Sequence, residues 1–416
     1  MHLRTSKSGF VAMVLAIVAA LAIAACGSSN NTTSSSTPAS SGSGNSSASS
    51  GSSSSGSTPQ ISASAFTNDF SAMSQLAALA KAGHGSIAAI LPDTTSSTRY
   101  VEFDQPDLKA AAAKVGVPIT VQNAGGSDQQ FVTDAQSDIT NGATVLLIDP
   151  ENSGTGVQVE NLAKQKGVAV VDYDRLDTGG PNDPYVSFNN VRVGQLMGQG
   201  FETCAAAWHV KHPNVIVMRG DPTDNNASLF YQGYYNDVLA AKFKSGAYSL
   251  VANTAGTWTP SVAQTEFEQA YTAHPNANSA LIPNDENGAP IITYLKAHGV
   301  KPMTFPTTGQ DATLTGLQNI LSGYQCGTVY KAVYKEAQAA VALALYLRAG
   351  KTAPASLLNG TTTDPTNHAS RPSVLLTPVW VTTKNMNSTI IADKFVPKSQ
   401  LCSGSYAADC KKYGIN

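Results

Sequence analysis

The chain has 416 residues, of which 26 are Lys or Arg and 28 are Asp or Glu, so its formal net charge is −2. A nearly neutral chain with only 13% charged residues lacks the basic surface that nucleic-acid binding requires. The part that follows the low-complexity N-terminal region is long enough for two medium-sized domains or one large domain.

Residues 1–25 are typical of an export signal, because Arg4 and Lys7 make the start basic and an apolar run leads to Ala25. Small residues precede Cys26, and a cysteine at this position is what lipoprotein processing requires. An ordinary secretory leader and a membrane-spanning anchor are the alternatives, but the apolar run is short for a span. We expect Cys26 to be lipidated and to hold the mature protein at the membrane, outside the cytoplasm.

A flexible tether is predicted for residues 26–59, which consist almost wholly of Ser, Gly, Asn, Thr and Ala. This composition cannot bury enough apolar surface to fold. As a coil the tether would span about 30 Å, from roughly 5–6 Å times the square root of its length. Residues 60–84 are expected to form a leading helical segment before the main body.

Short β-rich runs alternate with amphipathic stretches from residue 85 onward, a pattern typical of βα units and parallel sheets. The predicted strands are 86–91, 118–122, 144–149, 168–172, 185–188, 214–218, 248–252, 279–283, 303–309 and 328–330. The predicted helices are 108–114, 128–140, 156–165, 191–208, 229–244, 262–274 and 289–298. About ten strands exceed the usual content of one sheet, which favours two lobes.

Polar residues follow the carboxyl ends of strands in both halves of this series. They are Asp93, Asp174, Arg175, Asp224, Asn226, Asn284, Asp285, Gln310 and Asp311. Ligands of open α/β sheets bind beyond the carboxyl ends of the strands. Two lobes that face each other would therefore bring these residues to one cleft.

Four cysteines remain after Cys26, and an even number in an exported protein favours disulfides. Cys402 and Cys410 bracket a short loop near the C-terminus, so we expect a local pair. Cys204 and Cys326 would then pair by elimination, although connectivity cannot be read from a sequence. None of the cysteine spacings resembles a pair of metal ligands, and no metal or cofactor is predicted.

Six segments resemble the periplasmic sugar-binding proteins of ABC importers, specifically the D-xylose-binding branch. They are 172–176 (DYDRL), 185–194 (YVSFNNVRVG), 220–227 (GDPTDNNA), 308–312 (TGQDA), 328–331 (TVYK) and 375–378 (LLTP). Their order and spacing are those of the family, so the resemblance covers residues 86–401. It implies an α/β type I periplasmic binding protein, with two doubly wound lobes of parallel sheet joined by a three-stranded hinge. The implied lobes are 85–191 with 334–371, and 192–333 with 372–416.

The resemblance also implies a monosaccharide site in the cleft, and the side-chain chemistry agrees. Carboxylates and amides pair with hydroxyl groups, Arg offers a fixed fork of donors, and aromatic rings carry the apolar face of a sugar. The candidate sugar-binding residues are Arg99, Tyr100, Arg175, Asp224, Asn226, Trp258, Asn284, Asp311 and Lys331. Tyr100 stands where the family would have Trp, which leaves the choice among aldoses open.

Each candidate also has a structural alternative. The alternatives are an Arg175–Asp174 ion pair, helix caps at Asp224, Asn226 or Asp311, a strand-end turn at Asn284, lobe packing by Trp258, and a solvated Lys331 at a helix start. The helix that Asp311 could cap is predicted at 312–321.

Enzyme interpretations have little support, because the folded body has neither a Gly-x-Ser-x-Gly elbow nor a phosphate loop. Paired carboxylates in a sugar cleft could suggest a glycosidase. However, Asp224 and Asp311 have Arg and Asn neighbours, which suits ionised acceptors. We therefore expect a monomeric, extracytoplasmic binding protein that closes on D-xylose and delivers it to an ABC permease. Glucose, galactose or arabinose as the ligand, and a membrane signalling sensor as the recipient, are the alternatives.

Overall fold

The computed structural model describes residues 58–415, so the signal segment, Cys26 and most of the tether lie outside the described residues. The strands are β1 (Ser86–Leu91), β2 (Ile119–Asn123), β3 (Ala143–Ile148), β4 (Ala169–Tyr173), β5 (Tyr185–Phe188), β6 (Asn214–Val217), β7 (Ser249–Asn253), β8 (Ser279–Leu281), β9 (Thr328–Tyr330), β10 (Gly360–Thr363), β11 (Ser370–Leu376) and β12 (Val379–Val381).

The α-helices are α1 (Ala77–Ala82), α2 (Gln105–Lys114), α3 (Asp128–Thr140), α4 (Ser153–Gln165), α5 (Asn190–Ala207), α6 (Asn225–Tyr231), α7 (Ala240–Lys244), α8 (Pro260–Ala273), α9 (Asp285–Ala297), α10 (Leu314–Leu321), α11 (Val333–Arg348), α12 (Lys398–Leu401) and α13 (Tyr406–Lys412). Helical turns of other geometry occupy Ala63–Ala65, Ser71–Leu76, Tyr100–Asp104, Gln232–Leu239 and Asn387–Ile391. Within residues 58–415, the helices are too short or too polar to cross a membrane.

Seven strands form the sheet of the first lobe, in the order β10-β11-β5-β4-β3-β1-β2. All neighbouring strands are parallel except the β10–β11 pair. Helices cover both faces of a parallel sheet, which explains why the central strands β1 and β3 are nearly continuous apolar runs rather than alternating ones. Helix α11 is buried along most of its length and packs against β3, β4 and β5.

The second lobe contains the parallel sheet β7-β6-β8 and the antiparallel pair β12-β9. The strand predicted at 303–309 is wrong. Pro306 has no N–H to donate, and the Thr308 hydroxyl replaces a backbone partner by accepting from the Ile282 N–H and donating to the Ile282 carbonyl. Just after this segment, Gln310 forms an isolated parallel bridge with Val329. This irregular segment brings the next residue, Asp311, to the end of the sheet.

Three segments connect the two lobes, between β5 and α5, between β9 and α11, and between β11 and β12. The sequence placed the last crossing at Pro372. Strand β11 nevertheless pairs with β5 as far as Leu376, so the chain leaves the first sheet only after that residue. The hinge therefore includes the second half of the 375–378 motif.

The leading segment packs on the first lobe through Ile61, Phe66 and Leu76, which are buried. The Gln338 side chain on α11 donates to the Thr67 carbonyl at 2.9 Å. The chain thus joins the body on the face of the first lobe that α11 covers.

Two disulfides are present, and they are the pairs that the sequence favoured. Cys204 of α5 bonds to Cys326, which lies just before β9, across 122 residues of sequence. Cys402 and Cys410 close a span of 8 residues between α12 and α13. The long-range bond therefore fixes α5 to the approach of a hinge strand.

A buried ionic network holds the connection that follows β4. Arg371 lies 3.6 Å from Glu160 and 3.8 Å from Asp172, and it donates to the Asp177 carbonyl at 2.8 Å. The three carboxylates approach within 4.8 Å of one another. Burial raises the pKa of Glu160 to about 7. Asp172 and Asp177 flank Asp174 and Arg175 in sequence. The network therefore fixes the loop that carries Asp174 and Arg175.

Candidate functional site

A small cavity lies between the two lobes, at the carboxyl ends of their strands. All nine candidate residues predicted from the sequence line it. Five further residues also line it, namely Ser96, Ser97, Asp174, Phe230 and Gln310.

The residues that line the cavity include equal numbers of cationic and acidic side chains. Three cationic side chains face three carboxylates: Arg99, Arg175 and Lys331 against Asp174, Asp224 and Asp311. Hydroxyl groups both donate and accept, so they can bond to either kind of wall group.

Arg99 is held by three buried carboxylates. Asp104 accepts two bonds, at 2.8 Å from Nε and 2.7 Å from Nη2. Glu336 accepts from Nη2 at 2.6 Å, and Asp174 accepts from Nη1 at 2.9 Å. A guanidinium has five N–H donors, so four are used within the protein and one, on Nη1, is left over. Arg99 can therefore offer a ligand one bond, and its larger effect is to orient Asp174.

Asp174 follows β4 in the left-handed backbone region, with a φ of 58°, which Asp tolerates better than most residues. Its oxygens accept from Arg99 and from the Tyr100 hydroxyl, at 2.9 and 3.2 Å. Burial raises the pKa of Asp174, but the charges of Arg99, Lys331 and Arg175 outweigh it and leave the pKa below its ordinary value. The Arg175–Asp174 ion pair, the structural alternative for Arg175, does not form, because Asp174 pairs with Arg99.

Arg175 and Asp224 approach each other from opposite lobes, with 3.7 Å between Nε and Oδ2. Arg175 also donates to the Tyr100 hydroxyl at 3.3 Å. One oxygen of Asp224 caps α6 through the Asn226 N–H, and the other accepts from the Trp258 indole at 3.0 Å. Asp224 thus caps a helix and lines the cavity at once. Burial raises the pKa of Asp224, and Arg175 offsets part of this rise.

The Trp258 indole is fixed against the second lobe. Its ring meets Phe230 edge to face, with 6.4 Å between the centroids. A Cβ atom at position 220 would lie 2.2 Å from the indole, so only Gly220 permits this approach. Trp258 therefore packs within its lobe, as the structural alternative proposed, and also presents part of its ring to the cavity.

Asn226 and Asn284 each join the lobes and keep an unused N–H. Asn226 Oδ1 accepts from Asn190 and from the Tyr185 hydroxyl, at 2.7 and 2.9 Å, while its amide donates to a first-lobe carbonyl. Asn284 caps α9, and its amide donates to the Ser96 carbonyl at 3.1 Å. One amide hydrogen of each residue is left for a ligand.

Asp311 does not cap the helix that follows it. Thr313 caps α10, because its hydroxyl accepts from the Gly316 N–H at 3.1 Å. Asp311 instead has a φ of 84° and faces Lys331, at 2.9 Å, and the Ser97 hydroxyl, at 3.2 Å. Lys331 is buried, not solvated at a helix start. Burial lowers the pKa of Lys331, but Asp311 outweighs this effect and the pKa lies above its ordinary value.

The residues that sequence reasoning missed differ in how visible they were. Asp174 and Gln310 stood in the polar strand-end clusters, but Asp174 was considered only as a partner of its neighbour. Phe230 lies one helical turn after Asn226, so helical spacing places it on the same face. Ser96 and Ser97 belong to a polar loop, and nothing in the sequence distinguishes them from their neighbours.

The fold and the cavity together define a two-lobed solute-binding protein. Residues 87–352 match the family described as periplasmic binding protein domain. The chain belongs to this family, whose members are binding proteins rather than enzymes.

Among curated relatives, the D-xylose-binding periplasmic protein of Escherichia coli (strain K12) is 33% identical over 294 residues, which cover 70% of this chain and 85% of that protein. A protein of the same name from Haemophilus influenzae is 32% identical over 294 residues, covering 70% of this chain and 84% of that protein. Among solved structures, an ABC transporter solute binding protein from Clostridium phytofermentans with bound β-D-glucose superposes with a TM-score of 0.68. It is 26% identical, and the match covers 76% of this chain and 99% of that chain.

Proposed function

We propose that the protein binds D-xylose between its lobes and delivers it to the permease of an ABC importer. The observation that carries the proposal is the cavity between the lobes, whose wall combines three cations and three carboxylates with amides and aromatic rings. This wall suits a small neutral polyol. The choice of xylose among the aldoses is supported by the similarity to the two D-xylose-binding periplasmic proteins.

A ligand that bonds to residues of both lobes promotes hinge closure. Arg175 and Asp174 stand on the first lobe, whereas Asp224, Asn284 and Asp311 stand on the second. A sugar that bonds to both groups interacts better with the closed form than with the open form, and this difference shifts the equilibrium towards closure. Several bonds to charged groups, at about 1.5–3 kcal/mol each, are enough for micromolar binding after the ordering costs.

A titration with a panel of aldoses tests the proposed function. We expect D-xylose to change the fluorescence of Trp258, which lies at the cavity, with a dissociation constant of about 1 μM or below. Galactose, glucose and arabinose should bind more weakly, because the contacts are fitted to one arrangement of hydroxyl groups. If glucose binds more tightly than D-xylose, glucose is the ligand instead. If none of the four sugars binds, the proposed function is wrong.

Attachment to the membrane through Cys26 is part of the proposal, and it rests on the small residues before that cysteine and the Ser- and Gly-rich tether after it. We expect cells that express the chain to incorporate labelled palmitate into it, and the Cys26→Ser variant to carry no label. Label in the variant would contradict lipidation at this residue.

A further inference from the structure

The two lobes also touch outside the cavity, between the loop after β1 and the start of α9. The Thr98 N–H and the Thr98 hydroxyl both donate to Glu286 Oε1, at 2.9 and 3.1 Å. Thr98 belongs to the lobe of the seven-stranded sheet, and Glu286 belongs to the lobe of β6, β7 and β8. Two donors of one lobe therefore converge on one oxygen of the other.

We propose that Glu286 and Thr98 form a clasp, a lobe-to-lobe contact that sets sugar affinity by stabilising the closed form without touching the sugar. The proposal rests on the proposed function. Cavity-lining residues adjoin the clasp on both sides, Ser97 next to Thr98 and Asn284 near Glu286, but neither member of the clasp lines the cavity among the described residues.

The clasp exists only while the lobes are together, since Thr98 and Glu286 belong to different lobes, which the hinge connects. A contact made only in the closed form favours that form. When closure accompanies binding, the same contact strengthens the binding of every ligand that requires closure, by the same factor. This uniformity separates the clasp from a residue that contacts the sugar, whose loss would affect sugars differently.

The chemistry of Glu286 identifies a matched control. Burial, together with the charge of Asp311, raises the pKa of Glu286 to about 8. The raised pKa favours the neutral carboxyl group, and its Oε1 atom accepts the two Thr98 bonds as an amide oxygen would. Glu286→Gln keeps the shape and the accepting oxygen, whereas Glu286→Ala removes both bonds.

Glu286 also occupies the first turn of α9, where an acidic side chain can stabilise a helix through its dipole. A purely structural role of this kind would lower the melting temperature of the sugar-free protein. The clasp affects that temperature little, because only the closed fraction of the sugar-free protein loses the contact.

The test measures the affinity of the purified protein for D-xylose, D-glucose and L-arabinose in wild type, Glu286→Ala, Glu286→Gln and Thr98→Val. We expect Glu286→Ala to weaken every sugar that binds by one common factor of roughly five or more, from two lost hydrogen bonds. Thr98→Val, which loses only the hydroxyl donor, should weaken binding by about two- to five-fold. Glu286→Gln should stay within about two-fold of wild type.

Unchanged affinity in Glu286→Ala, factors that differ between sugars, or a markedly lowered melting temperature without sugar would each overturn the clasp. If wild type binds none of the three sugars, the proposed function fails separately. The clasp is then judged by small-angle scattering of the sugar-free protein. It predicts a larger radius of gyration for Glu286→Ala than for wild type, and equal radii would overturn it.

Discussion

We expect Asp311→Ala to weaken D-xylose binding by more than about ten-fold while the protein stays folded. A carboxylate has about four acceptor sites, and on Asp311 the Ser97 hydroxyl occupies one on Oδ2, while Lys331 lies 2.9 Å from Oδ1 as an ion pair. The remaining sites face the cavity and are free for sugar hydroxyl groups. The variant also leaves Lys331 buried beside an uncharged residue. Calorimetric titration measures the affinity.

Asp311→Asn is the matched control for this substitution. Asn tolerates the left-handed backbone at this position as Asp does, and it keeps one accepting oxygen for Lys331. We expect an affinity between those of wild type and Asp311→Ala, and a melting temperature close to that of wild type. Wild-type affinity in Asp311→Ala would refute the role given to this carboxylate.

We expect the double variant Cys204→Ser, Cys326→Ser to lose about 5 kcal/mol of stability, because the disulfide closes a span of 122 residues. In the chain-entropy account a cross-link stabilises by restricting the unfolded chain, and the effect grows with the length of the closed loop. For a body of this size the loss corresponds to a fall of roughly 5–10 °C in melting temperature. Differential scanning calorimetry measures it.

The second disulfide provides the comparison, because it closes a span of only 8 residues. The same account assigns it about 2.5 kcal/mol. The double variant Cys402→Ser, Cys410→Ser should therefore melt above the Cys204 and Cys326 variant and below wild type. An equal or reversed order of the two variants would show that loop length does not govern their stability.

The sequence predicted five of the seven strands of the first sheet, β1 to β5, but missed β10 and β11. β10 consists of Gly and Thr alone and is not buried, so it lacks the apolar run that marks β1 and β3. Strands 86–91 and 185–188 match β1 and β5, and β3 and β4 differ from their predicted ranges by one residue. The failure at 303–309 has a local cause, since the Thr308 side chain takes the place of a ladder bond. Propensity along the chain cannot register such a tertiary substitution.

The candidate site was predictable as a group of residues, but the individual bonds were not. All nine candidates line one cavity because the carboxyl ends of parallel strands meet at one edge of each sheet. The pairing of Arg99 with three carboxylates could not be predicted from the sequence, because one of them, Glu336, lies 237 residues away. The sequence also could not show which polar residues cap helices. Asp224 caps α6, whereas α10 is capped by Thr313 and not by Asp311.

A crystal structure of the protein grown with D-xylose tests the central claim most directly. We predict one sugar ring in the cavity between the lobes, with hydroxyl groups within hydrogen-bond distance of Asp174 and Arg175 on one side and of Asp224 and Asp311 on the other. A cavity without sugar at saturating xylose, or a sugar bound elsewhere on the surface, would contradict the account.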